Sequence, residues 1–199
     1  MPDFALERAC DGPVAGIDEA GRGPWAGPVV AAAVILDPAA LPAGLDDSKT
    51  LSGARRRDLY RQLLGCAEIG VGAASVREIE DMNVLRASLA AMARALATLP
   101  RRPATALVDG NRAPELPCRV ETVVRGDSRS LSIAAASIVA KVTRDRIMAR
   151  LAARHPGFGW ERNAGYGTAE HRRALARHGP TAHHRRSFAP IRAILEGVG

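Results

Sequence analysis

The chain has 199 residues, 47% of them hydrophobic, and a formal net charge of +7. These values predict one globular domain over residues 1–199, and no apolar stretch reaches the roughly 20 residues of a membrane-spanning helix. The positive charge favours a polyanion such as nucleic acid as partner, although charge alone leaves this open. The three cysteines form no C-x-x-C pair, so we expect no structural zinc and a reduced, cytoplasmic location without a secretory signal.

Short apolar runs alternate with longer helical patterns along the chain. The apolar runs predict strands at residues 14–19, 29–36, 67–73, 104–108 and 119–124. Apolar residues at helical spacing predict helices at residues 53–64, 76–98 with an interruption near Asn83, 130–153, 168–177 and 190–196. A glycine-rich loop is expected at 155–167.

The order of these elements predicts an α/β fold with a mixed sheet flanked by helices. The first three strands lie too close in sequence to be joined only by helical crossovers, so some of their pairing is expected to be antiparallel. We place the core at about residues 14–155 and a C-terminal helical segment at about residues 156–199.

Four carboxylates recur at or just after predicted strand ends: Asp18, Glu19, Asp109 and Asp127. Functional groups collect at such ends in open α/β sheets, and carboxylates meeting there repel one another unless divalent cations bind. Oxygen ligands without a thiolate or imidazole cluster indicate Mg²⁺ or Mn²⁺, and two such ions can hydrolyse a phosphodiester. Asp18 and Glu19 are neighbours, so both reach one metal pair only if the strand bends directly after them.

Each of these carboxylates also has a purely structural interpretation. Asp127 could cap the following helix, Asp109 could form a turn, and the Asp18–Glu19 pair could be a solvated strand end. Their joint placement beside Gly21-Arg22-Gly23 favours the metal site, because bare backbone and one guanidinium suit a sugar-phosphate.

Further candidate contacts are spread along the chain. Lys49 and Lys141 are the only lysines, which favours a functional role over two chance surface lysines. Tyr166 lies between two glycines and either stacks on a sugar or base or packs its loop down. Arg185 and Arg186 either contact phosphate or form a solvated basic end. The histidines of this region are expected to be surface or backbone-contacting residues: His171, His178, His183 and His184.

Several motifs closely resemble those of the ribonuclease HII family. They run in order from about residue 14 to 190: GIDEAGRGP from Gly16 to Pro24, Asp47-Ser48-Lys49, VDGN from Val108 to Asn111, Gly126-Asp127, IAAASIVAKVTRD from Ile133 to Asp145, GYGT from Gly165 to Thr168, and HRRSF from His184 to Phe188. The match spans nearly the whole chain.

The resemblance implies a ribonuclease H-like fold with a mixed five-stranded sheet. It also implies an endonuclease that cleaves the RNA strand of RNA/DNA hybrids. The same resemblance implies nicking on the 5′ side of a single ribonucleotide in duplex DNA, leaving a 5′-phosphate and a 3′-hydroxyl. The implied cofactors are two Mn²⁺ or Mg²⁺ ions. The implied partners are the hybrid and the ribonucleotide-containing duplex, for a monomer whose contact with a replication clamp is left open.

The resemblance also assigns roles to individual residues. The positions matching the four carboxylates form the metal site: Asp18, Glu19, Asp109 and Asp127. The positions matching Gly21, Arg22 and Gly23 recognise the ribonucleotide 2′-hydroxyl and the adjoining phosphates, and that matching Tyr166 stacks at the RNA–DNA junction. We add three further candidate substrate contacts: Lys49, Lys141 and Arg185.

The motifs depart from the family pattern at three positions. Gly167 stands where proline is familiar, which leaves the rigidity of Tyr166 open because proline would fix its own φ. Trp25 stands where a smaller aliphatic residue is usual and is expected to pack, and Arg125 replaces a frequent lysine with the charge kept.

Two alternatives remain at this point. One is a nuclease or strand-transfer enzyme on the same fold with a different substrate preference, which Gly-Arg-Gly beside the acidic pair disfavours. The other is a hybrid-binding protein without catalysis, which the four carboxylates disfavour, since a pure binder gains nothing from their repulsion of phosphate.

Overall fold

The structure is a computed structural model and describes residues 1–197. The strands are β1 Val14–Ala20, β2 Val29–Leu36, β3 Ala67–Ala74, β4 Thr105–Asp109 and β5 Arg119–Val123. The helices are α1 Ala5–Arg8, α2 Gly53–Cys66, α3 Val76–Ala97, α4 Leu131–Arg154, α5 Trp160–Asn163, α6 Ala169–His178 and α7 Ala189–Leu195. A short 3₁₀ turn, Gly126–Ser128, connects β5 to α4. Each predicted strand and helix is present with its ends within two residues of the prediction.

The five strands form one mixed sheet in the order β3-β2-β1-β4-β5. The first three strands pair antiparallel, as the short connections between them predicted. β4 pairs parallel to β1, and β5 pairs parallel to β4. The carboxyl ends of β1, β4 and β5 therefore meet at the same edge of the sheet.

Helices cover both faces of the sheet. Alternate residues of β2 point to opposite faces, and Ala31 packs with α3 residues such as Ala91, whereas Ala32 packs with α2 and α4 residues such as Leu59 and Ile138. All eight residues of β2 are buried, which explains why its sequence is one continuous apolar run. β2 therefore lies in the interior of the molecule. β1 pairs with it from Ala15 to Ala20, so the carboxyl end of β1 is anchored to a buried strand.

The structure differs from the predicted elements in two places. α1 comes from a segment with no predicted element, and α5 lies inside the predicted loop 155–167. Both helices have only four residues, which is too short for a periodic apolar pattern to appear in the sequence. The predicted interruption of α3 is present, since Asn83 has a φ of 69° and its side chain accepts hydrogen bonds from the next turn.

The C-terminal segment packs around Trp160, which is fully buried against Met148 of α4, Leu175 of α6 and Ile191 of α7. The same cluster includes Ala26 from the turn between β1 and β2. This packing brings the C-terminal segment beside the functional edge of the sheet. Among residues 1–197, no helix is long and apolar enough to cross a membrane.

Candidate active site

Three carboxylates meet at the edge where the parallel strands end. Asp18 lies near the end of β1, Asp109 is the last residue of β4, and Asp127 lies in the 3₁₀ turn after β5. One oxygen from each side chain lies within 4.8 Å of the other two. Asp18 and Asp127 are each only 5% exposed. Sheet topology thus brings together three charges that are far apart in sequence.

The protein supplies little that compensates for these charges. The backbone N–H of Glu19 donates to Asp18 Oδ1 at 2.7 Å, and that of Gly126 donates to Asp109 Oδ1 at 2.7 Å. Burial and the neighbouring carboxylates nevertheless raise the pKa of Asp18 well above its usual value. Burial also raises the pKa of Asp109. A divalent cation would reverse this effect, since its charge favours ionised oxygen ligands.

Glu19 lies outside the three-carboxylate cluster. Its Oε1 accepts from Arg22 Nη1 at 3.2 Å, as expected for a residue that points away from its strand neighbour Asp18. Burial raises the pKa of Glu19 despite the guanidinium, and Asp109 also contributes to that rise. Glu19 therefore shares the electrostatic environment of the cluster without joining its closest group of oxygens.

Lys49 is the cation closest to the cluster. Its Nζ donates to Asp127 Oδ2 at 2.9 Å and lies 3.7 Å from Asp47 Oδ1. Partial burial disfavours the ammonium charge, but the hydrogen bond and charge of Asp127 outweigh burial and raise the pKa of Lys49. Lys49 thus partly neutralises the charge of Asp127.

A buried arginine holds the loop formed by Gly21, Arg22 and Gly23. Arg185 donates to the carbonyl oxygens of Gly21, Arg22 and Gly27, with 2.7 Å to that of Arg22. Gly21 has a φ of 101°, a conformation that favours glycine. Within residues 1–197, the N–H groups of this loop donate no hydrogen bond, whereas two of its carbonyl groups are occupied. The loop therefore presents free donors beside the carboxylates.

Comparisons with known proteins agree on one family. Residues 15–191 match the family described as ribonuclease HII. The chain is 62% identical over 201 residues to the ribonuclease HII of Rhodospirillum rubrum, covering 98% of this chain and 92% of that protein. The chain belongs to the ribonuclease HII family. It is accordingly a ribonuclease H of type 2, an endonuclease that hydrolyses phosphodiester bonds.

Solved structures share the fold of this ribonuclease HII. The ribonuclease H2 of Pyrococcus horikoshii superposes with a TM-score of 0.78 at 28% identity, covering 94% of this chain and 98% of that one. The ribonuclease HII of Archaeoglobus fulgidus, solved as a complex with PCNA, gives a TM-score of 0.75 at 28% identity, with 88% and 95% covered. The ribonuclease H-like fold expected from the motifs is therefore confirmed.

In this ribonuclease HII, Tyr166 extends over the Gly21-Arg22-Gly23 loop. Tyr166 is 50% exposed, and a Cβ placed on Gly23 would lie 3.6 Å from its Cε1. The Tyr166 carbonyl oxygen lies 2.9 Å from His171 Nδ1. An exposed aromatic ring is thus held beside free backbone donors.

Arg185 and Lys141 are placed differently. Arg185 is 0% exposed and bonded to backbone carbonyl groups, so it supports the Gly21-Arg22-Gly23 loop instead of reaching phosphate as an exposed side chain. Lys141 pairs with Asp145 on the same helix at 2.6 Å, and its role as a substrate contact stays a prediction.

Two of the histidines contact backbone groups, which is one of the two predicted placements. His171 and His184 are also buried, with 3.0 Å between their Nε2 atoms. Trp160 Nε1 donates to His171 Nε2 at 3.2 Å. The sequence carried no periodic signal for this network, because its members come from three separate segments.

Arg144 is a functional-site residue that sequence reasoning missed. Its guanidinium donates to the carbonyl oxygens of Pro28, Ala164 and Ala26 at 2.8–3.0 Å. It joins the turn after β1 to the segment that carries Tyr166. The sequence held a signal, since Arg144 lies on the buried stripe of α4 between Ala140 and Met148.

Proposed function

We propose that this ribonuclease HII cleaves the RNA strand of RNA/DNA hybrids and nicks duplex DNA on the 5′ side of a single embedded ribonucleotide. The products carry a 5′-phosphate and a 3′-hydroxyl. The observation that supports this proposal is adjacency: Arg22 lines one groove with Asp109 of the carboxylate cluster, and the exposed ring of Tyr166 lies beside Gly23 of the same loop. A phosphate held at the cluster would place its ribose at the loop.

The carboxylate cluster fits hard divalent cations. Its donors are oxygen atoms only and they lie within 4.8 Å of one another. Burial, with repulsion from neighbouring carboxylates, raises the pKa of both Asp18 and Asp109. Asp18, Asp109 and Asp127 would hold the first ion, and Glu19 would complete the site. Mg²⁺ or Mn²⁺ bound there supplies an activated water and stabilisation of the leaving oxygen.

Discrimination for RNA is assigned to the loop. Within residues 1–197 its amide groups donate no hydrogen bond, so they can bond a 2′-hydroxyl or a phosphate oxygen, and Arg185 holds the loop in place through the carbonyl groups of Gly21 and Arg22. A site built to bond a hydroxyl rejects a substrate without one, since its buried polar groups are then left unpaired. Arg22, whose side chain is 50% exposed, is placed to contact the adjoining phosphate. Tyr166 would stack on the deoxyribose that follows the ribonucleotide.

The decisive experiment uses a duplex with one embedded ribonucleotide, incubated with Mn²⁺, with Mg²⁺ or with chelator. We expect one metal-dependent nick 5′ of the ribonucleotide and no cutting of the all-DNA duplex. Asp109→Asn should abolish the nick and leave substrate binding intact, whereas Asp81→Asn, at an exposed carboxylate on α3, should cut normally. A wild-type chain that makes no nick with either ion would contradict the proposal.

A second measurement distinguishes this function from that of a related nuclease with a different substrate preference. Arg22→Ala should reduce cleavage at the single ribonucleotide more than it reduces metal binding, because Arg22 lies outside the carboxylate cluster and carries no oxygen ligand. Equal loss on every substrate would contradict the role given to the loop. The monomeric state and the cytoplasmic location stay predictions.

A further inference from the structure

Trp25 and Gly167, which are far apart in sequence, meet in space. A Cβ placed on Gly167 would lie 2.1 Å from Trp25 Cζ2 and 2.4 Å from Cε2 and Cη2. These distances are far below any real carbon–carbon contact, so the Trp25 indole fills the volume that a side chain at 167 would need. The φ of Gly167 lies outside the left-handed region. The requirement for glycine at 167 is therefore steric and is imposed by Trp25.

Trp25 is itself fixed on several sides. Its N–H donates to Gly165 O at 2.8 Å, and its carbonyl oxygen accepts from Arg185 N at 2.8 Å. The indole lies 5.8 Å from the His171 ring, and the Arg172 guanidinium carbon lies 5.4 Å from the indole centre. The same residue thus continues the recognition loop through its backbone and packs against the Tyr166 segment through its side chain.

The orientation of Tyr166 depends on this contact. Tyr166 lies between Gly165 and Gly167, and two glycines would leave the segment free to move if nothing packed on it. Trp25 contacts both sides of the tyrosine: the backbone of residue 165 by a hydrogen bond and that of residue 167 by its indole. The flexibility expected of Gly167 is thereby offset by a large side chain from another motif.

We propose that Trp25 is the positioning residue for Tyr166, and that the Trp25–Gly167 contact sets how strongly the enzyme prefers an RNA–DNA junction over a continuous hybrid. This inference rests on the proposed function, because it assumes that Tyr166 stacks at the junction. Trp25 is not a member of the carboxylate cluster, and its N–H is bonded to Gly165 O, so it acts through the placement of the ring.

The test is a double-mutant cycle with Trp25→Leu, Gly167→Ala and the double variant. The measured quantity is the ratio of kcat/KM on a single-ribonucleotide duplex to kcat/KM on a uniform RNA/DNA hybrid, with Mn²⁺. We expect Gly167→Ala to lower this ratio about tenfold and Trp25→Leu about fivefold, while cleavage of the uniform hybrid changes less than about twofold. The double variant should resemble the single variants, because the leucine removes the clash that the alanine creates.

The matched control is Gly65→Ala. A Cβ on Gly65, at an exposed position of α2, meets nothing within 4 Å, so this variant should keep the wild-type ratio. If Gly167→Ala does not fold, the kcat/KM ratio of Trp25→Leu alone tests the positioning role, and an unchanged ratio would contradict it. Effects that multiply in the double variant, or a parallel loss on both substrates, would overturn the positioning role. A wild-type enzyme that cuts neither substrate would instead contradict the proposed function.

Discussion

At the scale of single residues, the site is defined by charges that the fold does not compensate. Asp18 is buried, and its oxygen neighbours are the carboxylates of Asp109 and Asp127. Among the three aspartates, and within residues 1–197, Asp127 is the one with a direct cationic partner, Lys49. A cluster of this kind lowers the stability of the metal-free fold and gains stability when a cation binds.

We predict that Mn²⁺ stabilises the wild type and that Asp18→Asn removes most of this stabilisation. Binding at a hundred times Kd contributes about 2.7 kcal/mol to the free energy of unfolding. Asparagine keeps the oxygen that accepts from Glu19 N but lacks the charge, so the variant should unfold at an equal or higher temperature in chelator and respond weakly to Mn²⁺. Calorimetry with and without Mn²⁺ measures both quantities.

Asp81→Asn serves as the control for this measurement, because Asp81 is exposed on α3 and only weakly paired with Arg77. It should keep the full response to Mn²⁺. If Asp18→Asn responded to Mn²⁺ as strongly as the wild type, Asp18 would not be a ligand.

Arg185 is a buried cation that stabilises the fold by donating hydrogen bonds to backbone carbonyl groups. Its guanidinium donates to the carbonyl groups of Gly21, Arg22 and Gly27, and burial lowers its pKa. Lysine places its donors on one nitrogen and does not reproduce this planar fork. We predict that Arg185→Lys costs about 3 kcal/mol of unfolding free energy, since it leaves buried carbonyl groups unpaired.

Urea unfolding checks this value, and the neighbouring Arg186→Lys is the matched control. Arg186 is exposed, so its substitution should change stability by less than about 0.5 kcal/mol. Equal stability of the two variants would show that the carbonyl contacts of Arg185 contribute little.

At the scale of elements, α6 is joined to the segment that connects it to α7 by two neutral imidazoles, those of His171 and His184. His171 Nδ1 faces the Tyr166 carbonyl oxygen and therefore carries the proton, whereas His184 Nδ1 accepts from Thr181 N. His184 Nε2 then donates to His171 Nε2, which also accepts from Trp160. An additional proton on either ring breaks a bond of this network, one end of which fixes the Tyr166 segment.

The pH dependence of stability follows from this arrangement. Burial, with the nearby His171, lowers the pKa of His184 to about 4, and burial also lowers that of His171. Below about pH 6.5 the unfolded chain binds more protons than the folded chain, so the unfolding free energy falls toward pH 4. Each histidine contributes up to about 1.4 kcal/mol per pH unit in this range. His155 and His183 also face this pair.

The variant His184→Gln isolates this contribution. The carboxylates act in the opposite direction, because the raised pKa of Asp18 stabilises the fold as the pH falls. We therefore predict a difference: between pH 6.5 and 4.5, the unfolding free energy of His184→Gln falls less steeply than that of the wild type. Urea titrations at several pH values measure how steeply the unfolding free energy falls with pH in each protein. Equal slopes for His184→Gln and the wild type would contradict the conclusion that His171 and His184 are neutral in the folded protein.

At the scale of the whole molecule, the sequence predicts the sheet better than it predicts the site. Continuous apolar runs such as Val29–Leu36 identify buried strands without tertiary information. The meeting of Asp18, Asp109 and Asp127 could be anticipated, because parallel strand ends share one edge. These features depend on local pattern and on general rules of topology.

Other features of the site depend on contacts that no local pattern encodes. Arg185 is charged and near the end of the chain, which suggested an exposed phosphate contact, yet carbonyl groups more than a hundred residues away enclose it. Neighbouring side chains on a strand point to opposite faces, so Glu19 points away from Asp18 and toward Arg22. The sequence alone did not show whether the strand bends enough to bring both carboxylates to one metal site. The reason for Gly167 becomes visible only when Trp25 is seen beside it.

The distribution of charge over the molecule predicts how binding depends on salt. A groove at α2, α4 and α5 is lined by several arginines: Arg56, Arg57, Arg146 and Arg162. Arg56 Nη1 donates to the carbonyl oxygen of Ser48 at 2.5 Å, so this groove is connected to the segment that carries Lys49. Arg101, in contrast, lines a groove with Val14 at the start of β1, at the opposite end of that strand from Asp18.

We predict that Arg57→Ala weakens hybrid binding and lowers the salt slope, whereas Arg101→Ala changes neither. Each phosphate contact releases about one counterion, so losing one changes the slope of log K against log salt by about 0.9. The measurement is fluorescence anisotropy with labelled duplex between 50 and 200 mM salt, roughly the range in which such slopes are resolved, in the Asp109→Asn background to prevent cleavage. If both substitutions changed the slope alike, binding would follow the net charge of +7 and not the face that carries the site.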